Sequence, residues 1–101
     1  MPNKNISTQR EGNALLVTLY DVFDYEQGKK FQKECEKHVG IDKYIIDFRH
    51  VTVIESSSLG RLLLLRTRMG HEKADITLCN PNKLIAKIFR MSQFQKLFKI
   101  E

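Results

Sequence analysis

The stretch that most constrains the fold runs from Lys43 to Gly70, K-Y-I-I-D-F-R-H-V-T-V-I-E-S-S-S-L-G-R-L-L-L-L-R-T-R-M-G. It opens on a short apolar run, Tyr44 to Phe48, with the branched pair Ile45 and Ile46. Such a run reads as a buried strand. A second apolar patch, Val51 to Ile54, follows. Then come Glu55, three serines and a leucine-rich segment. A short side-chain oxygen accepts one of the unpaired N–H groups at a helix start. Ser56, Ser57 and Ser58 therefore mark a helix N-terminus, and the helix is expected to run to about Met69. Gly70 is a natural stop, because glycine tolerates the left-handed conformation that ends many helices.

At about 100° per residue, Leu59, Leu62, Leu63, Leu65 and Met69 share one broad stripe of this helix. Arg61 and Arg68 lie opposite. Arg66 intrudes on the stripe and is expected to carry its charged head to water. Leu64 falls off the stripe, as an exposed apolar contact would.

The flanking segments complete an α/β pattern. Ile6 to Arg10 reads as a short strand, Glu11-Gly12-Asn13 as a turn and Ala14 to Tyr20 as a strand, so the chain opens on a hairpin. Asp24 precedes Gln27 by three residues, in the manner of a capping box. Gly28, Phe31, Cys35 and Val39 then recur at helical spacing, and this amphipathic helix is expected to end near Gly40. Ala74 to Cys79 is another strand. Asn80-Pro81 turns the chain, and Asn82 caps a helix bearing Leu84, Ile85, Ile88 and Phe89. A last short element covers Phe94, Leu97, Phe98 and Ile100. The order is β-β-α-β-α-β-α. Helices between strands imply right-handed crossovers and a largely parallel sheet, made mixed by the hairpin. Four to five strands are expected, with Leu16, Phe31, Ile45, Ile46, Leu62 and Leu78 in the core. The 101 residues make one domain, spanning 1–101.

Several functions lack their chemistry here. His38, His50 and His71 are dispersed, and none stands at metal-ligand spacing from another ligand. S-S-S-L-G is not the G-x-S-x-G elbow of a serine nucleophile, and no G-x-x-x-x-G-K-[ST] phosphate loop occurs. Asp21, Asp24, Glu26, Asp47 and Glu55 form no catalytic pair by spacing, and read as solvated or capping groups. The chain reads as a non-enzyme with neither metal nor cofactor. It has no apolar run of about 18 residues, and Met1 to Asn13 is polar, unlike a signal peptide. Cys35 and Cys79 sit far apart in apolar settings and read as reduced thiols of a cytoplasmic protein.

The element order and the phrase I-I-D-F-R-H-V-T-V-I-E-S-S-S-L-G-R-L resemble the STAS domain family, the sulphate transporter and anti-sigma factor antagonist domains. The centre is similar to that family's strand, Asp, apolar link and D-S-S/T-G-L-G motif at a helix start. The ending N-P-N-K-L-I-A-K-I-F-R-M-S-Q-F-Q-K-L-F-K-I resembles its last helices and closing strand. The likeness covers Ile6 to Ile100. It implies a stand-alone anti-sigma factor antagonist of bacterial partner switching. Such a protein is phosphorylated on one motif hydroxyl by a histidine-kinase-like serine kinase that is also the anti-sigma factor. A PP2C-type phosphatase reverses this. The unphosphorylated form binds the kinase and frees its other partner, so the output is transcription regulation. Laid on this chain, the acceptor falls on Ser57, with Ser56 and Ser58 as alternatives. Glu55, Ser56, Ser58, Leu59 and Arg61 are the expected contact surface. Glu55 stands where the motif has Asp, and Ser58 where it has Gly. From residue chemistry alone the serines read first as helix caps and loop, and it is the family resemblance that favours an acceptor. The alternative role is a non-phosphorylated STAS subunit, a static docking scaffold in a transport or stress-sensing assembly.

Net charge is +5, and Lys83, Lys87, Arg90, Lys96 and Lys99 gather near the C-terminus against Glu101 alone. A basic face raises nucleic acid as a partner. No zinc-finger spacing, recognition-helix motif or aromatic RNA-binding signature accompanies it, so no direct nucleic-acid partner is expected. Titration of labelled duplex and single-stranded oligonucleotides should show only weak, sequence-blind binding that falls steeply with salt as counterions are released. A sub-micromolar, sequence-selective complex at physiological salt would overturn this reading.

Overall fold

Five strands pair side by side in the order in which they occur in the chain. The structure, a computed structural model, describes residues 6–101. The expected strand starting at Ile6 lies within it; the polar Met1 to Asn5 lies outside the described residues. β1 (Ile6–Glu11) and β2 (Ala14–Phe23) form the antiparallel hairpin. Gly12 turns it at φ +60°, a conformation that costs glycine nothing. β3 (Lys43–Ile54), β4 (Asp75–Cys79) and β5 (Lys99–Ile100) each run parallel to their predecessor. α1 (Tyr25–Glu36), α2 (Ser56–Arg68) and α3 (Lys83–Met91) fill the crossovers.

Right-handed crossovers between strands that never reverse their order all land on one face of the sheet. Burial follows this rule. Leu15, Val17 and Leu19 of β2, Tyr44, Ile46 and Phe48 of β3, and Ile76 and Leu78 of β4 point under the helices and are buried. Their neighbours point the other way. Leu16 and Ile45, expected in the core, pair in register on the uncovered face and are only half-buried. The correction follows from the two-residue period of a strand: Ile45 and Ile46 cannot share a face. Phe31, Ile46, Leu62 and Leu78 are buried as expected.

All six phenylalanines of the chain lie in one continuous row under the helices. Phe31 of α1 meets Phe23 edge-on at 5.7 Å, and Phe23 meets Phe48 at 6.1 Å. Phe48 meets Phe89 of α3 at 5.2 Å. Phe94 and Phe98 continue the row at 5.6 and 5.0 Å. Contacts of this geometry are worth about 0.5–1.5 kcal/mol each beyond the area they bury. The row binds α1, β2, β3, α3 and the closing segment into one core.

The helix caps act as the sequence suggests at two ends. Asp24 Oδ1 accepts from Gln27 N at 3.0 Å, and Asn82 Oδ1 from Ile85 N at 2.8 Å. α1 stops at Glu36, however, four residues short of Gly40. The His38 amide bonds the Cys35 carbonyl, a tighter i→i−3 closure, and Val39 is left 79% exposed. In α2 the inward line is Ser58, Leu62 and Leu65; Leu63, expected beside them, is exposed like Leu64. Arg66 does not simply reach for water. Its Nε donates to the Leu97 carbonyl at 3.3 Å. The Val51–Ile54 patch continues β3 rather than forming a separate element, and β2 extends to Phe23 beside it through two register shifts. The last element resolves into a 3-10 turn, Phe94–Lys96, and β5. Both cysteines are free, and burial pushes the Cys35 thiol up to about 12, so it packs as a neutral apolar group.

Ile46→Asp should abolish the cooperative thermal transition, because an unpaired carboxylate in the sheet interior costs several kcal/mol, about the stability of a whole domain. Ile45→Asp, on the uncovered face, should retain a transition at lower temperature. Melting followed by circular dichroism separates the two. A wild-type melting temperature for Ile46→Asp would mean that the central strand is misplaced.

Candidate functional site

In a parallel sheet each helix runs back against its strand, so the N-termini of α1, α2 and α3 open at one end, beside the C-terminal ends of β2, β3 and β4. This gathers three positive dipole ends. β3 is the middle strand, so the serine segment leaves the centre of the sheet.

The serines were expected as caps, but the cap position belongs to Glu55, and Ser56, Ser57 and Ser58 form the first helical turn. The Glu55 carbonyl accepts from Ser58 N at 3.1 Å. Its carboxylate makes no cap to its own helix. It turns sideways, and Oε1 accepts from Tyr25 N at the start of α1, at 3.3 Å. Glu55 thus serves two helix starts, one with its backbone and one with its side chain.

The three serines part company in their surroundings. Ser56 and Ser57 are exposed. Ser58, expected on the contact surface and as an alternative acceptor, is fully buried. Its Oγ lies 2.5 Å from the Phe23 carbonyl and 2.7 Å from the Glu55 carbonyl. A hydroxyl has one proton, so the two acceptors share it. The cause is position: Ser58 precedes Leu62 by four and Leu65 by seven on the inward line. A phosphate there would bury a dianion against two carbonyl oxygens, which the site cannot accommodate.

α1 supports this turn by close approach. A side chain at Gly28 would meet Arg61 Cγ at 2.9 Å and the Cα and Cβ of Ser58 at 3.6 Å. The missing Cβ lets α1 and α2 touch there. The Arg61 stem crosses Gly28, and its guanidinium donates to Gln32 Oε1 and lies 5.8 Å from the centre of the Tyr25 ring. Lys29 Nζ approaches the same ring at 5.3 Å. Leu59 is half-buried beside Ser58.

The structure adds surface residues that the sequence reading did not select. Tyr25 is 52% exposed next to Glu55. Val22 and Val53 pair in register just before the serine turn and are both exposed. Leu84, in the first turn of α3, is 56% exposed, and its cap Asn82 ties that turn to the Val51 and Thr52 carbonyls. Tyr25 stands three residues before Gly28, at the margin of the Gly28–Phe31–Cys35 stripe, so helical spacing did not mark it as exposed. The Val22–Val53 pair depends on parallel register, for which the sequence carries no local signal.

The exposed part of the turn presents hydroxyl, carboxylate, phenol and guanidinium groups on fixed elements. No cluster of metal-ligating side chains occurs among the described residues. Of the histidines, His50 stacks on Tyr20 at 5.1 Å. A depression of about 560 Å³ lies at the other end of the sheet, lined by Cys35, Tyr44, Leu65 and Arg68 among others, and includes none of Glu55, Ser56 or Ser57. No described helix is long and apolar enough to cross a membrane.

The STAS domain model matches residues 5–101. The chain belongs to the STAS domain family. A STAS-domain containing protein of Pseudomonas aeruginosa is 38% identical over 92 residues, covering 89% of this chain and 90% of that protein. The fold is shared with the anti-sigma factor antagonist SpoIIAA in its unphosphorylated form (TM-score 0.83, 14% identity, 95% of this chain and 87% of that one). It is shared too with the phosphorylated form from Bacillus (0.75, 14%, 95% and 90%). A candidate anti-sigma factor antagonist from Thermotoga maritima matches at 0.84, with 16% identity over 94% and 84%. The STAS resemblance and the mixed α/β order expected from the sequence are both borne out.

In this STAS domain Ser58→Ala should lower stability by about 1 kcal/mol, the net worth of one buried hydrogen bond. For a domain of this size that is about 4–8 °C in melting temperature. Ser57→Ala, at an exposed hydroxyl, should shift it by far less. Equal effects would contradict the division of labour between the two serines.

Proposed function

We propose that this STAS domain is an anti-sigma factor antagonist-like partner-switching regulator, controlled by reversible phosphorylation of Ser57. In this reading it is not an enzyme and acts in the cytoplasm. Its partners are a histidine-kinase-like serine kinase that is also the anti-sigma factor, and a PP2C-type phosphatase. The observation that carries the reading is the contrast within one helical turn. Ser57 is exposed while Ser58, the next residue, is fixed in the core. A kinase therefore meets two exposed hydroxyls, Ser56 and Ser57, on a turn held in one position, and the family motif laid on the chain puts the acceptor on Ser57.

Glu55, Ser56, Leu59 and Arg61 surround the acceptor, and exposed Tyr25 extends the patch. Ser58 acts behind it as a positioning residue. A phosphate on Ser57 adds about −1.5 to −2 charges. At the start of α2 it meets free N–H groups and a positive dipole end, so the fold accommodates it. A docked partner must desolvate or oppose that charge, and about 1.4 kcal/mol of such cost is a tenfold loss of affinity. That SpoIIAA shares the fold, and is known in both unphosphorylated and phosphorylated forms, supports this reading.

The test pairs phosphosite mapping by mass spectrometry, after incubation with the cognate kinase and ATP, with binding of variants. Ser57→Ala should lose phosphate acceptance and keep binding within about twofold, and Ser57→Asp should weaken binding about tenfold, less than phosphate does. Phosphate on Ser56 would move the acceptor by one residue and keep the mechanism. No phosphate on either serine, with Ser57→Asp binding like wild type, would leave the static docking scaffold as the function.

A further inference from the structure

From Lys83 to Ile100 the chain contains five basic residues and no acidic one. Among the described residues only Lys99 of these five is in an ion pair, with Asp75 at 3.2 Å. Lys83, Lys87 and Arg90 lie on α3 and are exposed. The same helix exposes two large apolar side chains, Leu84 at 56% and Met91 at 73%. Charge alone would not account for these, since solvated lysines need no leucine beside them.

Their arrangement around α3 is ordered. Ile85 and Phe89 are buried and define the inner side. Turning about 100° per residue, the next direction around the helix holds half-buried Ile88, then the line of Leu84 and Met91, then Lys87, Lys83 and Arg90. Leu84 and Met91 are seven residues apart, two turns or about 10.5 Å along the axis. All three cations flank one side of that line, and the body of the domain flanks the other.

We propose that the outward face of α3 is a docking surface for an acidic protein helix, with the Leu84–Met91 line as its apolar seam and Lys83, Lys87 and Arg90 as its charge-matching flank. An apolar line with an i, i+7 repeat and charges to one side is the complement of an amphipathic helix laid alongside. A bilayer surface is the poorer fit. Membrane-lying helices put cations on a broad polar face with bulky Leu, Phe or Trp sunk between lipids. Here the one aromatic of α3, Phe89, is buried in the core, and the helix exposes none. The surface goes beyond the serine-turn reading and does not rest on it.

The test is a two-dimensional amide NMR titration of the full chain with a designed acidic helical peptide. It carries an i, i+7 leucine line flanked on one side by glutamates. Shifts should concentrate on residues 83–91, and affinity should fall about tenfold at high salt as the ion pairs are screened. Leu84→Ser, and separately Lys87→Glu with Arg90→Glu, should each weaken binding about fivefold or more. Both sets change exposed positions, and unchanged melting would confirm that they fold. Vesicles with roughly one-third phosphatidylglycerol should not retain the wild-type chain at physiological salt. The proposal is overturned if a peptide with serines in place of its leucines binds as well, or if the shifts spread over all the lysines. It is equally overturned by no shift at all, or by vesicle binding that Leu84→Ser removes.

Discussion

The pairing of β2, β3, β4 and β5 in chain order is the constraint on which the rest of the molecule depends. Strands in that order, joined by right-handed crossovers, place every helix on one side and every helix start at one end. One face of the sheet therefore carries the phenylalanine row and the buried branched residues, while the other has no helix over it among the described residues. The same order makes β3 the central strand, braced by β2 and β4. A segment leaving such a strand begins from a position with little freedom.

Local bonds refine what the topology provides. The Ser58 hydroxyl links the end of β2, through the Phe23 carbonyl, to the end of β3, through the Glu55 carbonyl. A glycine at this position, as in the motif the sequence resembles, has no hydroxyl to make that link. Glu55 stands where the motif has Asp, and its extra methylene lets the carboxylate reach across to Tyr25 N. The two departures from the motif thus act together. One ties the turn to the sheet behind it, and the other ties it to α1 beside it.

What the sequence made legible and what it did not divide along physical lines. Asp24 and Asn82 were readable as caps because capping is a contact over three residues. The helix and strand order was readable because periodicity is local. Leu16 and Ile45 were misplaced because a run of apolar residues suits both faces of a sheet, and only the one-sided cover decides between them. The three serines looked alike because cap preference does not distinguish the cap from the first turn behind it. Inward direction does, and Ser58 shares it with Leu62 and Leu65. The length of α1 depended on a tight closure at His38 and Cys35 that side-chain spacing does not encode.

The rigidity of the serine turn bears on how a modification there would be read. Because Ser58 and Glu55 hold the turn on two sides, a phosphate on Ser57 changes its charge much more than its shape. A phosphate would add about −1.5 to −2 charges to a patch in which Glu55 and Arg61 supply one group of each sign. The helix dipole, equivalent to roughly half a positive charge, offsets only a small part. In the proposed switch, a partner that docks on the unmodified turn would then meet a strongly negative field without any rearrangement of the domain. Screening at physiological ionic strength acts over about 8 Å, longer than a direct contact, so a docked partner feels the added charge almost fully. Discrimination between the two forms therefore needs no second conformation, only a fixed scaffold and an exposed hydroxyl on it.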